Sequence, residues 1–536
     1  MIHEYLLLIV SMLLAVLLLV MLGQSLKISY PIFLVIAGLL ISFIPGIPYI
    51  QIDPELVFLI FLPPILYEAA WFTSWHDFWK WKRPISLLAF GLVFITSTVI
   101  AFVSEAMIPG FTLALGFLLG GIISPPDAVA ATSVLKGTQI PKRLLTILEG
   151  ESLVNDASSL IVFKFALAAI LTGQFIMQKA VTDFFLLAGM GIVVGLAVAM
   201  LMYLIHKYLP TNPNIDTALT LLTPYVMYIG AEHFHFSGVM AVVSGGLFLS
   251  YRSHRILTFQ SRLQSHGVWN TVIFLINGTV FILIGLELPV IVNGLQGVSK
   301  GEVIKYGLLI SALTIGIRFV WTYINAFLPR YLFKSIRENE KNPGWKGAFV
   351  ISFAAMRGVV SLAAAFSIPL VLTTNEAFPQ RNTILFITFI VILVTLVGQG
   401  LALPFLLKWL DIKEIDDIAP EEEQEAGIQI RLKQAALQVL TEKHEVNLAD
   451  NELVANLKTQ LENDLALTRQ KLDSLECAES NLEELSVFHH VTKELIQIQR
   501  EELAVLRAEK LFSDEMLRKQ AAQLDLDEAR LTGTAH

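Results

Sequence analysis

Cysteine is almost missing from this chain: Cys477 stands alone, so no intramolecular disulfide can form and the fold must rest on packing. Charge is scarce as well. Only 16% of the residues are charged against 55% hydrophobic, with a mean hydropathy of +0.65, whereas soluble domains carry about a quarter charged residues. That balance excludes a soluble globular protein and points to an integral membrane protein. No grouping of Cys and His at ligand spacing suggests zinc, an iron–sulfur cluster or haem, and no Gly-x-x-x-x-Gly-Lys-Ser/Thr loop marks a nucleotide-driven pump. Nor is a nucleophile found with its base. The expected partner is the lipid bilayer, with no cofactor, no nucleic acid and no enzymatic activity.

What is present falls into two parts. From Met1 to Leu410 there are 24 Lys+Arg and 18 Asp+Glu, net +6; from Asp411 to His536 there are 14 and 28, net −14. Residues 1–410 read as a transmembrane domain and 411–536 as an acidic cytoplasmic tail. A hydrocarbon layer about 30 Å thick takes roughly 20 apolar residues per helix. On that basis thirteen segments are candidate spans: 5–22, 30–44, 54–71, 84–107, 111–135, 144–171, 180–208, 215–231, 236–249, 268–288, 303–328, 346–372 and 384–407. The first follows His3 and Glu4 rather than a basic stretch and is too long for a signal-peptide core, so it reads as a membrane helix.

Basic residues alternate between the loops. One side collects Lys27, Lys80, Lys82, Arg83, Lys136, Lys142, Arg143, Lys207, Arg252, Arg255, Arg262, Arg330, Lys334, Arg337, Lys341, Lys346 and Lys408, while the other has only Lys179, Lys300, Lys305 and Arg381. Positive loops stay in the cytoplasm, which puts the N-terminus outside and the tail inside. The tail has neither Gly nor Pro between Gly427 and Gly533, and Leu453, Leu457 and Leu461 recur at helical spacing, with Leu495, Leu503 and Leu506 less regular. Three or four amphipathic helices follow, as a bundle or coiled coil that dimerises or regulates the membrane part. The run Glu421, Glu422, Glu423 and Glu425 reads as a solvated helix start.

Acids inside the spans carry the chemistry, because a carboxylate in a bilayer costs several kcal/mol, about 2.5–3.5 on the mildest scales, unless it meets a partner, water or an ion. Glu68 lies in the third span, Asp127 in the fifth, Glu149, Glu151 and Asp156 at the start of the sixth, and Glu287 at the outer end of the tenth. Ser152, Asn155 and Asp156 stand at i, i+3 and i+4, so a helix gathers their oxygens on one face. Such hard donors suit a proton or a small alkali cation. Lys164 is over two turns from Asp156, a poor partner, and Arg318 and Arg357 are further charges in apolar surroundings. The fifth span cannot be one continuous helix: Pro125 and Pro126 each lack an N–H and each disfavours helix in the residue before it. The twelfth, around Met356-Arg357-Gly358, offers a second interruption. Broken helices of this kind build ion sites in transporters.

The stretches Phe61-Leu62-Pro63-Pro64-Ile65-Leu66-Tyr67-Glu68, Ser124-Pro125-Pro126-Asp127, Gly150-Glu151-Ser152-Leu153-Val154-Asn155-Asp156 and Met356-Arg357-Gly358-Val359-Val360-Ser361 resemble, in order, the signatures of the monovalent cation/proton antiporters of the sodium/proton exchanger type. The resemblance spans the membrane domain and does not extend to the tail. It implies an all-α polytopic fold of about thirteen transmembrane helices with inverted repeats, in which helices five and twelve unwind where they cross. It implies a homodimer, a six-helix core moving against a dimerisation part, and residence in a bacterial inner membrane. Residue by residue, Asp156 matches the ion-binding acid, Asn155 its neighbour, Ser152 a further ligand, Asp127 the acid at the break, with the monovalent cation at Asp156 and Asp127, and Glu68 an accessory acid. Glu151 and Arg357 match a structural ion pair joining helices six and twelve. An Asn before the acid resembles the electroneutral members, which exchange one cation for one proton. One departure is local: many relatives place a proline directly after the acid of helix five, whereas here Pro126 precedes Asp127 and Ala128 follows.

The expected activity is exchange of Na⁺ for H⁺, with Li⁺ or K⁺ as further ions. Burial disfavours a charged carboxylate, so either H⁺ or a cation is needed to neutralise the site before it crosses. A bare site stays put, which prevents leak. The alternatives are K⁺/H⁺ exchange on the same fold and a cation channel, which would pass current without proton counterflow.

Overall fold

The computed structural model describes residues 2–26, 28–44, 54–135, 140–173, 177–295, 299–339, 342, 344–372, 376–412, 421–443, 451–476, 482–509 and eight positions from 516 to 528. Lys27, Lys136, Lys341 and Cys477 lie outside the described residues, as do the side chains of Lys179, Glu421 and Glu422. The chain forms two compact units, Met1–Asp416 and Asp417–His536.

The first unit is helical throughout, apart from an isolated bridge between Val371 and Ala377 among the described residues. In chain order it contains α1 (Ile2–Ser25), α2 (Tyr30–Ile41), α3 (Pro54–Phe72), α4 (Lys82–Met107), the half-helices α5a (Leu113–Ile123) and α5b (Ala128–Leu135), α6 (Lys142–Thr172) and α7 (Met177–Tyr208). After these come α8 (Pro213–His233), α9 (Gly238–Ile256), α10 (Phe259–Leu286), α11 (Lys300–Leu332), the half-helices α12a (Gly344–Phe353) and α12b (Val359–Phe366), and α13 (Arg381–Leu410). Among the described residues seven helices are long and apolar enough to cross a membrane: α1, α4, α6, α7, α10, α11 and α13. Leu7, Leu14 and Leu18 on α1 and Val320 and Ile324 on α11 are exposed, as lipid-facing side chains should be.

Local chemistry sets the ends. Side-chain oxygens of Thr112, Asn212, Ser237 and Thr258 accept the first free N–H groups of α5a, α8, α9 and α10. Gly173, left-handed at φ 69°, closes α6. Where a helix is irregular, a neighbour takes the freed carbonyl. Pro64 has no N–H for the Ile60 carbonyl four residues back, and Tyr225 of α8 donates its hydroxyl to that oxygen at 3.1 Å. A π turn at Leu87–Leu92 interrupts α4, and there the Leu87 carbonyl accepts from Trp321 Nε1 at 2.9 Å and the Ala89 carbonyl from Ser158 Oγ at 2.5 Å.

The helices pack as two sets. α4, α5a, α6, α11, α12 and α13 contact one another most; α1, α2, α3, α7, α8, α9 and α10 form the other set. Within the first, a Gly116-x-x-x-Gly120 stripe lets α5a press on α4, where a Cβ on either glycine would come within 2.6 Å of the Ala101 or Ser97 backbone. The second unit, taken by itself, carries α14 (Glu421–Lys443), α15 (Glu452–Glu476) and α16 (Leu482–Glu509). Lys433 of α14 donates to the Asp464 carbonyl and Thr468 Oγ1 of α15. Leu465 and Thr468 are buried there, whereas Leu453 and Leu457 of the anticipated stripe are exposed.

Candidate functional site

The fifth and twelfth segments are both broken. α5a stops at Ile123 and α5b resumes at Ala128; α12a stops at Phe353 and α12b resumes at Val359. The two breaks satisfy each other. Asp127 N–H donates to the Met356 carbonyl at 2.6 Å, and Asn155 of α6 donates Nδ2 to the Pro126 carbonyl at 3.1 Å. Arg357, 1% exposed, donates Nε to the Ile123 carbonyl at 3.1 Å and Nη1 to the Ala355 carbonyl at 2.8 Å. Its backbone N–H goes to Thr395 Oγ1 at 3.1 Å, in a π turn of α13 at Leu393–Gln399.

This arrangement balances four helix ends. Both half-helices entering the crossing end in free carbonyls with partial negative charge, and the Arg357 guanidinium covers Ile123 at the end of α5a and Ala355 just past α12a. Both half-helices leaving it begin with free N–H groups. Asp127 Oδ1 accepts from Val129 N at 2.9 Å and Ala130 N at 3.3 Å, which caps α5b. Its other oxygen lies against Gly358, the residue before α12b, so closely that any Cβ there would overlap it. Asp127 thus has a capping role as well as a place on the cavity wall.

A cavity of about 810 Å³ lies between the two helix sets. Tyr30 of α2, Glu68 of α3 and Asn277 of α10 line it from one set, and Asp127, Ser152, Asp156 and Ser361 from the other. Leu145, Glu149, Ser152 and Asp156 form one stripe of α6, at i, i+4, i+7 and i+11. Exposure falls along it: Glu149 is exposed, Ser152 half-buried and Asp156 only 7% exposed. Beyond Asp156 the helix is closed, with Ser159 and Phe163 buried and the Gly121 Cα packed on the Phe163 backbone.

The structure therefore brings Glu68, Asp127, Ser152 and Asp156 onto one cavity, while Asn155 is fully buried behind it and turned to the Pro126 carbonyl. Asp156 has no ion-pair partner among the described residues. Lys164 is engaged elsewhere, with Glu232 at 2.9 Å. Glu287 is buried at the end of α10 and does not line the cavity.

The ion pair is a correction. Glu151 does not meet Arg357; it takes a two-pronged bond from Arg318 of α11, Nη1 to Oε1 at 2.5 Å and Nη2 to Oε2 at 2.7 Å. Arg318, 0% exposed, also donates to the Ile351 carbonyl of α12a, so one side chain ties α6, α11 and α12a. The reason is position. Arg357 is consumed by the carbonyls of the crossing, and Glu151 sits one turn before Asn155, level with Ile351. Arg318 was visible as a charge inside an apolar span, which requires a partner, but spacing alone does not name it. Thr395, which receives the freed Arg357 N–H, had no such signal.

Comparison with known proteins gives the family and the fold. Residues 9–409 match the family described as sodium/hydrogen exchanger, transmembrane. An uncharacterized Na⁺/H⁺ exchanger of Mycobacterium tuberculosis (strain ATCC 25618 / H37Rv) is 32% identical over 533 residues, 98% of this chain and 96% of the relative. A sodium, potassium, lithium and rubidium/H⁺ antiporter of Bacillus subtilis (strain 168) is 35% identical over 388 residues, 71% of this chain and 58% of the relative. The solved structure of the sodium proton antiporter MjNhaP1 from Methanocaldococcus jannaschii shares the fold, with a TM-score of 0.58 at 21% identity, covering 77% of this chain and 100% of that one. With crossed, broken helices around a buried acid and a match over nearly all of the membrane unit, the chain belongs to the sodium/hydrogen exchanger family and is a multi-pass ion antiporter, not an enzyme.

Proposed function

We propose that this protein exchanges Na⁺ for H⁺, one for one, across a bacterial plasma membrane by alternating access, with Asp156 as the shared site. The observation that carries this is the state of Asp156: a buried carboxylate at the closed end of a cavity, without an ion-pair partner among the described residues. A charge in that position is stable only when covered, and a proton or a small cation covers it equally well. The two ions compete for one group, so the loaded site moves and the bare site does not. Ser152 supplies a neutral oxygen on the same stripe, Glu68 and Asp127 add negative charge to the wall, and Asn155 holds the Pro126 carbonyl in the break. Asn155, neutral where a second acid would add a charge, is the basis for one-for-one exchange.

The cavity reaches Thr73 at the end of α3 and Ile140 and Leu145 at the start of α6. These lie on the side of the basic loops, so we read this conformation as open to the cytoplasm, with the N-terminus outside and the tail inside. Residues 1–410 act as the transporter, residues 411–536 as a regulatory or dimerising part, and the working form is a homodimer. K⁺ exchange is a second reading, favoured by Bacillus relatives whose names include sodium, potassium, lithium and rubidium.

The test is a pH dye in proteoliposomes, with Na⁺, Li⁺ and K⁺ added in turn. The wild-type protein should relieve an imposed acid load when the preferred cation is added, and Asp156→Asn should not. Wild-type exchange by Asp156→Asn would exclude Asp156 as the carrier.

A further inference from the structure

We propose that Ser361 is a direct ligand of the transported cation and sets the affinity and selectivity of the site; this rests on the reading of Asp156 given above. Ser361 lies in the first turn of α12b, three residues after Gly358, and shares its face. It lines the same cavity as Asp127, Ser152 and Asp156. The residue is 1% exposed, and its Oγ is buried with no hydrogen-bond partner among the described residues. Buried hydroxyls are ordinarily bonded, so this one marks a place where the cavity's occupant is the partner.

Its position in the break explains why it is free. Helical serines normally return their hydroxyl to a carbonyl of the preceding turn. Ser159 does so to Asp156, Ser352 to Ala348 and Ser367 to Ala364. For Ser361 the preceding turn is the unwound segment Ala354-Ala355-Met356-Arg357-Gly358, so no helical carbonyl lies beneath it. The unwinding that makes the crossing thereby leaves a neutral oxygen without a helical acceptor, on a residue that lines the cavity. Carboxylates supply the charge that either ion neutralises, whereas neutral oxygens solvate a cation and add little for a proton. Hard alkali cations are distinguished by such oxygens through their number and spacing.

The experiment measures half-saturating cation concentration and maximal rate for the full chain in proteoliposomes, at fixed pH, with Na⁺, Li⁺ and K⁺. Ser361→Ala should raise the half-saturating concentration of the preferred cation roughly tenfold, the factor that corresponds to about 1.4 kcal/mol, with maximal rate held within about twofold. Ser361→Cys, nearly the same size but with a soft donor, should behave like Ala. Ser361→Thr keeps the hydroxyl and should stay near wild type for that cation. Unchanged half-saturation for all three cations in the Ala and Cys variants overturns the proposal, as does a loss of maximal rate alone or a Thr variant as impaired as Ala. A wild-type protein that moves no protons with any cation would instead overturn the antiport reading itself.

Discussion

Gly358 shows how little freedom the site leaves to a single residue. One constraint on it is space. Asp127 Oδ2 occupies the position a Cβ would take. Adding that methyl pushes Asp127 off the N–H groups of Val129 and Ala130, and overpacking of this kind costs about 1–3 kcal/mol. Gly358→Ala should therefore lose most exchange while still inserting and folding, read by proteoliposome transport beside a thermal melt in detergent. Wild-type transport by this variant would mean that Asp127 is not held as described. The same argument separates Asp127 from Asp156. Asp127 is half-buried with bonds to two backbone N–H groups, so part of its charge is already used, whereas Asp156 has no such use among the described residues.

At the scale of elements, the breaks are held by side chains and by each other's backbone, which take up many of the freed groups. Arg357 and Asp127 cover the helix ends at the crossing, Thr395 takes an N–H, and Arg318 fastens the segment before the break through the Ile351 carbonyl. The Glu151–Arg318 pair is fully buried, where removing one member strands the other's charge at a cost of about 3–5 kcal/mol, while removing both is often tolerated. Glu151→Gln or Arg318→Met alone should lower the melting temperature sharply. The double variant should recover much of that loss. A double variant as unstable as the sum of the singles would argue against a direct pair. Since Arg318 connects α6 to α11 and α12a, the expected consequence for transport is a looser crossing, not a changed ion.

For the whole molecule, the cavity lies between two helix sets, which is the geometry needed if one set moves and the other stays. Tyr30, Glu68 and Asn277 stand on one side, and Asp127, Ser152 and Asp156 on the other. Sliding the set that contains α6 would carry Asp156 away from the present opening without breaking its own contacts, because the contacts of α4, α5a, α6, α11, α12 and α13 are mostly with each other. The second unit has its own internal contacts, so its removal is a clean experiment. Truncation after Asp411 should leave cation-dependent proton exchange in place and shift its pH dependence or the stability of the proposed homodimer. Unchanged pH profile and unchanged dimer mass would retire a regulatory role for the tail.

Much was decided by the sequence alone. Apolar length dictates membrane helices, two missing N–H groups at Pro125 and Pro126 dictate a break, and the 3.6-residue period puts Ser152 and Asp156 on one stripe. These are local effects, complete within a few residues. Tertiary structure decided which neighbour each face meets. Helical period sets Asn155 beside Asp156, yet only the placement of the break turns Asn155 to the Pro126 carbonyl and away from the cavity. Glu151 required a buried cation, but the choice between Arg318 and Arg357 depended on which guanidinium the crossing's carbonyls had already claimed. Ser361 looked like any helical serine until the unwound turn before it removed its carbonyl. A partner more than a hundred residues away is fixed by packing, and packing leaves no periodic trace in the chain.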